Sequence, residues 1–133
     1  MKHVLMVEDD PHNAVVFHKI LERRAGCRVT VCEDANEILR LVRSGEVDLV
    51  MMDVSLGNTS LGGRPINGVE LCRMLKSDPV TATVPIVIAT AHAMRGDAER
   101  LMSESGADDY VAKPIVDHAA FAAQILKHLK EAA

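Results

Sequence analysis

The chain has 133 residues, a length typical of one globular domain with a single hydrophobic core. Hydrophobic residues make up 48% of it and charged residues 26%, which excludes a disordered or fibrous protein. Its formal charge of −4 and its scarcity of aromatic residues argue against direct nucleic-acid binding, which needs a basic surface and rings that stack on bases. We therefore expect one folded domain over residues 1–133.

The cysteines and the hydropathy pattern indicate the compartment. Cys27, Cys32 and Cys72 are odd in number and lack the C-x-x-C spacing, so they predict free thiols in a reducing cytosol rather than disulfides or a zinc site. No apolar run approaches the roughly 20 residues that cross a membrane, and the chain starts directly in a strand-like segment rather than a signal peptide. We expect a cytoplasmic protein without a membrane partner.

Short apolar runs alternate with amphipathic segments along the chain. The predicted strands cover residues 3–7, 28–32, 48–52, 85–90 and 109–112. The predicted helices cover residues 11–25, 35–44, 69–76, 94–105 and, after a cap at Asp117, a segment ending near residue 130. Asp10 and Asp34 are typical N-cap residues. Such alternation predicts an α/β domain with a parallel sheet covered on both faces.

Acidic and basic residues end several of these strands. Parallel sheets bind ligands beyond the carboxyl ends of their strands, so we expect the strand-end residues to face one another: Glu8, Asp9, Asp53, Thr90 and Lys113. Two carboxylates about 4 Å apart repel by roughly 4 kcal/mol at an effective dielectric near 20, so the cluster requires positive charge. Oxygen ligands alone favour Mg²⁺ (or Mn²⁺) over zinc, and Lys113 supplies a second cation.

This inventory matches the needs of phosphoryl transfer. The Asp53 carboxylate is a competent nucleophile, and the three equatorial oxygens of the moving group must be neutralised. The metal can take one oxygen, the Lys113 ammonium a second, and the Thr90 hydroxyl with the Ala91 backbone N–H the third.

Four segments, in this order, resemble the receiver domains of two-component response regulators over nearly the whole chain. They are VEDDP at residues 7–11, MD at 52–53, ATA at 89–91 and GADDYVAKP at 106–114. The resemblance implies a flavodoxin-like, doubly wound (βα)5 three-layer sandwich whose parallel five-stranded sheet has the order 2-1-3-4-5. It implies a signalling phosphoacceptor rather than a classical enzyme. Because the predicted domain uses all of residues 1–133, we expect a stand-alone receiver without an output domain in this chain.

The resemblance also assigns roles around the metal. Asp53 becomes the residue that accepts a phosphoryl group, with Mg²⁺, from the phosphohistidine of a sensor histidine kinase or a histidine phosphotransfer protein. Asp9 becomes a direct metal ligand, Glu8 a ligand through water, and the Ser55 carbonyl a third metal contact. Asp10 is expected to be a helix cap rather than a ligand.

The remaining roles concern the response to phosphorylation. Lys113 becomes the phosphate-binding lysine, and Thr90 and Tyr110 resemble the family's switch pair. They are expected to change the face built by the fourth predicted helix, the fifth strand and the fifth helix, on which a partner docks. A homodimer through that face stays open. The sequence names neither the kinase nor the downstream target.

The loop after Asp53 departs from the family pattern, being longer than usual. Gly57 stands where a proline is usual, and Gly68 is the match to a later family glycine. Residues 57–67 are expected to form an ordered surface feature with turn chemistry, in which Leu61 and Ile66 either pin the segment to the body or touch a phosphodonor. A neutral insertion and a role in partner choice are both open.

Positions two residues beyond Asp53 and Thr90 tune the lifetime of the acyl phosphate in the family, and they are Ser55 and His92 here. The other histidines are expected at the surface: His3, His12, His18, His118 and His128.

Three other functions fit part of this pattern. A carboxylate phosphatase usually has a second acid two residues beyond its nucleophile, where this chain has Ser55. A flavin or nucleotide carrier needs glycines in the first loop, where this chain has acids. A receiver-like adaptor that is never phosphorylated would share every motif.

Overall fold

The computed structural model describes residues 1–56, 59–91 and 96–131. The strands are β1 (His3–Val7), β2 (Arg28–Val31), β3 (Leu49–Asp53), β4 (Ser60–Leu61), β5 (Arg64–Pro65), β6 (Ile86–Thr90) and β7 (Asp109–Ala112). The helices are α1 (Pro11–Ala25), α2 (Ala35–Arg43), α3 (Gly68–Ser77), α4 (Asp97–Ser105) and α5 (His118–Glu131). Residues 94 and 95 of the fourth predicted helix lie outside the described residues. None of the described helices has the length and apolarity to cross a membrane.

Five parallel strands form the main sheet, in the order β2-β1-β3-β6-β7. Because β6 and β7 are the fourth and fifth predicted strands, this confirms the predicted order 2-1-3-4-5. The central strands β1, β3 and β6 are buried along their whole length, as expected of a sheet covered on both faces.

Side-chain alternation along the strands divides the core in two. Leu5 and Val7 of β1 pack on one side, in a cluster that includes residues of α2 and α3. Val4 and Met6 pack on the other side, in a cluster that includes residues of α1 and α5. Since successive strand residues point to opposite faces, the period-2 pattern produces the predicted three layers.

Polar caps fix the helix starts near the carboxyl ends of the strands. Asp10 Oδ1 accepts from the backbone N–H of His12 at 2.9 Å, which confirms that Asp10 caps α1. The side chain of Asp34 caps α2 in the same way. At α3, Asn67 Oδ1 accepts from the Glu70 N–H at 2.9 Å and Glu70 Oε1 accepts from the Asn67 N–H at 3.3 Å, forming a capping box.

The long segment after β3 contains a hairpin that the sequence did not predict. Strands β4 and β5 pair antiparallel, and Gly62 and Gly63 between them have φ of 60° and 79°, as a two-residue type I′ turn requires. Ile66 is only 4% exposed and joins the core under α2 and α3, while Leu61 packs against the same cluster. These two side chains therefore pin the segment to the body. Gly57 and Asn58 lie outside the described residues.

Two histidines expected at the surface are buried or nearly so, and that expectation was wrong for them. His3 is 5% exposed, with Nδ1 2.8 Å from the Glu46 carbonyl oxygen and Nε2 2.7 Å from Thr30 Oγ1. His128 Nε2 lies 2.8 Å from Asp109 Oδ2. His3 is buried and the His128 side chain is only 12% exposed, because polar partners from distant segments satisfy their nitrogens.

Gly68 lies where the chain returns from the hairpin to the end of β3. A Cβ atom at this position would stand 1.9 Å from the Asp53 carbonyl oxygen and 2.8 Å from the Val54 Cα. The Gly68 N–H donates to the Val54 carbonyl at 3.3 Å. Only glycine allows α3 to start this close to the backbone of Asp53.

We predict that Gly68→Ala lowers the free energy of unfolding by about 3 kcal/mol, because backbone atoms on both sides of the clash cannot move aside as a side chain could. Gly26→Ala is the matched control: Gly26 has φ of 64° but open space around it, so it should cost about 1 kcal/mol from conformation alone. Urea denaturation monitored by circular dichroism measures both. Equal losses for the two variants would contradict the close-approach explanation.

Candidate functional site

The carboxyl ends of β1 and β3 bring three acids together. Glu8 and Asp9 follow β1 and Asp53 ends β3, and one carboxylate oxygen from each lies within 4.8 Å of the others. The Glu8 and Asp53 side chains are 2% and 3% exposed, and Asp9 is half-buried. The parallel register places Val7 beside Met52, so the two strands end at the same level and present these acids side by side.

Lys113, which directly follows the edge strand β7, adds a positive charge to the cluster. Its Nζ lies 3.3 Å from Glu8 Oε1 and 3.2 Å from Asp53 Oδ1. Its backbone N–H donates to the Thr90 carbonyl at 2.9 Å, which holds the lysine against the end of β6, and its peptide bond to Pro114 is cis. Only 12% of the side chain is exposed, so water screens these ion pairs weakly.

The two buried acids, Glu8 and Asp53, have pKa values shifted in opposite directions. Burial, together with the hydrogen bond to Asp53 and its negative charge, raises the pKa of Glu8 to about 7. Burial also opposes ionisation of Asp53, but hydrogen bonds from Glu8 and from the Ser55 N–H at 3.0 Å, together with the Lys113 charge, lower its pKa. Of the two buried acids, Asp53 is therefore the one whose ionised form is favoured.

The structure adds one contact that the sequence analysis missed. Ser55 was expected to contribute its carbonyl oxygen to the metal and to stand at a position that tunes the acyl phosphate lifetime. In addition, its backbone N–H donates to Asp53 Oδ1. An aspartate whose side chain accepts from the amide two residues on forms an Asx-turn, and this tendency of Asp was a signal available in the sequence. The Ser55 side chain is exposed.

The proposed switch residues lie next to this cluster in the sheet. Thr90 ends β6 and is fully buried, one residue beyond Ala89, the register partner of Asp53. Tyr110 lies in β7 opposite Ile88 and is half-buried against the core. His92, expected to tune the acyl phosphate lifetime, lies outside the described residues.

The donor set suits a small, hard divalent cation. Three carboxylates contribute oxygen only, and the described cluster includes no histidine or cysteine. Lys113 alone carries too little positive charge to balance three carboxylates. Glu8, Asp9 and Asp53 could therefore hold a metal ion.

Comparison with known proteins identifies the family. The model of the response regulator receiver domain matches residues 4–126. The chain belongs to this family. A curated relative, the polar-differentiation response regulator DivK of Brucella anthropi, is 33% identical over 114 residues, covering 86% of this chain and 85% of the relative.

Two solved structures are similar over nearly their whole length. The receiver domain of a sensor histidine kinase from Pseudomonas aeruginosa PAO1 is 29% identical, with a TM-score of 0.79 and coverage of 97% of this chain and 98% of that one. That receiver domain has a magnesium ion coordinated in its active site cleft. A response regulator from Chloroflexus aurantiacus is also 29% identical, with a TM-score of 0.80 and the same coverage.

Membership confirms the resemblance seen in the four motifs. Receiver domains take phosphoryl groups from histidine kinases or phosphotransfer proteins, so the family is one of signalling phosphoacceptors and not of classical enzymes. The phosphatase and carrier alternatives are thereby disfavoured. The non-phosphorylated adaptor belongs to the same family, so experiment must distinguish it.

We predict that without added metal the protein loses stability as pH rises from about 5 to about 7. The folded state keeps the Glu8 proton up to a pKa of about 7, whereas the unfolded chain releases it near 4.5. The folded state therefore binds more protons in this window, and the free energy of unfolding falls as pH rises. Urea denaturation in EDTA should show this decline, and Glu8→Gln should flatten it. A decline equally steep in Glu8→Gln would assign the proton elsewhere.

Proposed function

We propose that Asp53 accepts a phosphoryl group, in the presence of Mg²⁺, from the phosphohistidine of a sensor histidine kinase or a histidine phosphotransfer protein. One observation carries the proposal: the buried Asp53, whose pKa is lowered, has a lysine ammonium 3.2 Å away and two further carboxylates within metal-binding distance. The magnesium in the Pseudomonas receiver domain supports the choice of metal.

The transfer is a displacement at phosphorus. A carboxylate oxygen of Asp53 forms the new P–O bond while the P–N bond to the donor imidazole breaks, and the imidazole leaves with the electron pair. Bound Mg²⁺ supplies positive charge for the phosphoryl oxygens. Asp9, Asp53 and the Ser55 carbonyl would hold the ion directly, and Glu8 would hold it through water.

The chain's own residues neutralise and orient the moving group. The Lys113 ammonium already bridges Asp53 and Glu8, so it can pass from Glu8 to a phosphoryl oxygen by a small side-chain movement. The hydroxyl of Thr90, the last residue of β6, and the N–H of Ala91, the next residue, donate to another phosphoryl oxygen. The Ser55 N–H keeps the Asp53 carboxylate oriented for attack.

Phosphorylation then acts through Thr90 and Tyr110. The new group adds a charge of about −1.5 to −2, which shifts the conformation only by binding one state better than the other. Thr90 provides the difference by bonding the phosphoryl oxygen, and the Tyr110 ring turns inward behind it. The face formed by α4, β7 and α5 changes and docks a protein partner, or a second copy of the chain.

We predict that acetyl phosphate with Mg²⁺ phosphorylates Asp53 and no other residue. Mass spectrometry of the borohydride-reduced protein locates the modified residue, and Asp53→Asn should abolish the label. EDTA should prevent labelling, because the metal compensates the charge of the acid cluster. Asp117→Asn, which removes an exposed acid in the loop before α5, is the matched control and should label normally. A folded wild-type chain that takes no label would instead be the non-phosphorylated adaptor.

We predict that Thr90→Ala is phosphorylated yet shows a muted response at Tyr110. Removing the hydroxyl leaves Asp53 and Lys113 in place but deletes the group that distinguishes the two states. Amide spectra with and without acetyl phosphate measure the shift at Tyr110, and Thr90→Ser, which keeps the hydroxyl, should restore it. An undiminished shift in Thr90→Ala would show that the switch runs by another route.

A further inference from the structure

An open cleft beside Tyr110 lies between part of strand β7 and helix α5, next to the point where Val111 of β7 joins the core that contains Phe121 of α5. The cleft has a volume of about 460 Å³, and its lining includes Tyr110, Pro114, Ile115 and Phe121. On its other side α5 is anchored to α1, where the Phe17 and Phe121 rings lie 5.6 Å apart in a core shared by the two helices. The cleft therefore leaves part of the boundary between β7 and α5 without close packing.

Polar side chains of α5 cross this boundary at one point. Gln124 Nε2 donates to the Tyr110 carbonyl at 2.8 Å and lies 2.9 Å from Asp109 Oδ2. One turn further on, His128 Nε2 lies 2.8 Å from the same Asp109 oxygen. The other oxygen, Asp109 Oδ1, accepts from the Tyr110 N–H at 2.8 Å. Both backbone polar groups of Tyr110 are thus bonded within this cluster.

The chemistry of the cluster fixes its donors and acceptors. A carboxylate and a carbonyl oxygen only accept, so the Gln124 amide must present its NH2 group and the His128 ring must carry a proton on Nε2. Burial opposes ionisation of Asp109, but the His128 and Gln124 hydrogen bonds outweigh it and lower the pKa of this carboxyl. A charged acceptor makes these bonds stronger than those between neutral groups.

We propose that Asp109, Gln124 and His128 are positioning residues that couple the backbone of Tyr110 to α5. The inference rests on the proposed switch function of Tyr110. When the ring turns, the adjoining strand moves with it, and Gln124 and His128 carry that movement across the cleft to α5. Without them α5 stays with α1, its other neighbour, and the change remains at β7.

Gln124→Met tests the proposal, because it keeps the side-chain length and removes both donated hydrogen bonds. With acetyl phosphate and Mg²⁺, we expect full labelling of Asp53 and a full shift at Tyr110, but amide shifts along α5 reduced by about twofold or more. His128→Phe should act in the same direction, and His128→Gln, which restores an N–H donor, should recover part of the response. Lys127→Met, an exposed residue between them on α5, is the control and should respond like wild type.

These measurements distinguish a failure of the coupling from a failure of the proposed function on which it rests. Full α5 shifts in Gln124→Met would overturn the coupling and leave the phosphoacceptor intact. Loss of stability alone, with undiminished α5 shifts well below the unfolding temperature, would likewise reduce the cluster to a structural role and overturn the proposal. A wild-type chain that is labelled but shows no shift at Tyr110 would remove the switch, and the coupling with it. An unlabelled wild-type chain would defeat the proposed function itself.

Discussion

The site depends on one interaction, the Lys113 ammonium placed between the Glu8 and Asp53 carboxylates. Ionising both of two nearly buried acids this close is costly, so one of them keeps a proton. Hydrogen bonds from Glu8 and from the Ser55 N–H, together with the Lys113 charge, lower the pKa of Asp53, while burial and the nearby Asp53 carboxylate raise the pKa of Glu8 to about 7. Ionisation of Glu8 makes the cluster more negative, and a divalent cation would favour that state.

Much of the fold could be predicted because local signals and tertiary structure agree. Buried strands read as apolar runs, and Asp10 and Asp34 each stand where a helix needs a cap. The hairpin escaped prediction because its strands are two residues long, too short for a period-2 pattern, although its glycines indicated a turn. The strand-end rule then placed the acids and Lys113 at one edge without knowledge of any distance.

What the sequence could not supply were contacts between distant segments. His3 and His128 read as scattered polar residues, since nothing near them in the chain reveals that Thr30, Glu46 and Asp109 will satisfy their rings. The proton on Glu8 is also hidden, because it follows from burial and the distance to Asp53 rather than from any motif.

Gly68 allows the long segment after β3 to return to the backbone of Asp53 without a steric clash. The segment leaves β3 directly after Asp53, and α3 begins against the Asp53 carbonyl oxygen, so both ends of the loop meet at Asp53. Extra residues between fixed ends add little to the entropic cost of closing a loop, so this segment can be long if its ends stay in place. Ile66, buried just before the capping residue Asn67, secures the returning end. The hairpin can therefore extend over the surface while the geometry at Asp53 is set by Gly68 and the capped start of α3.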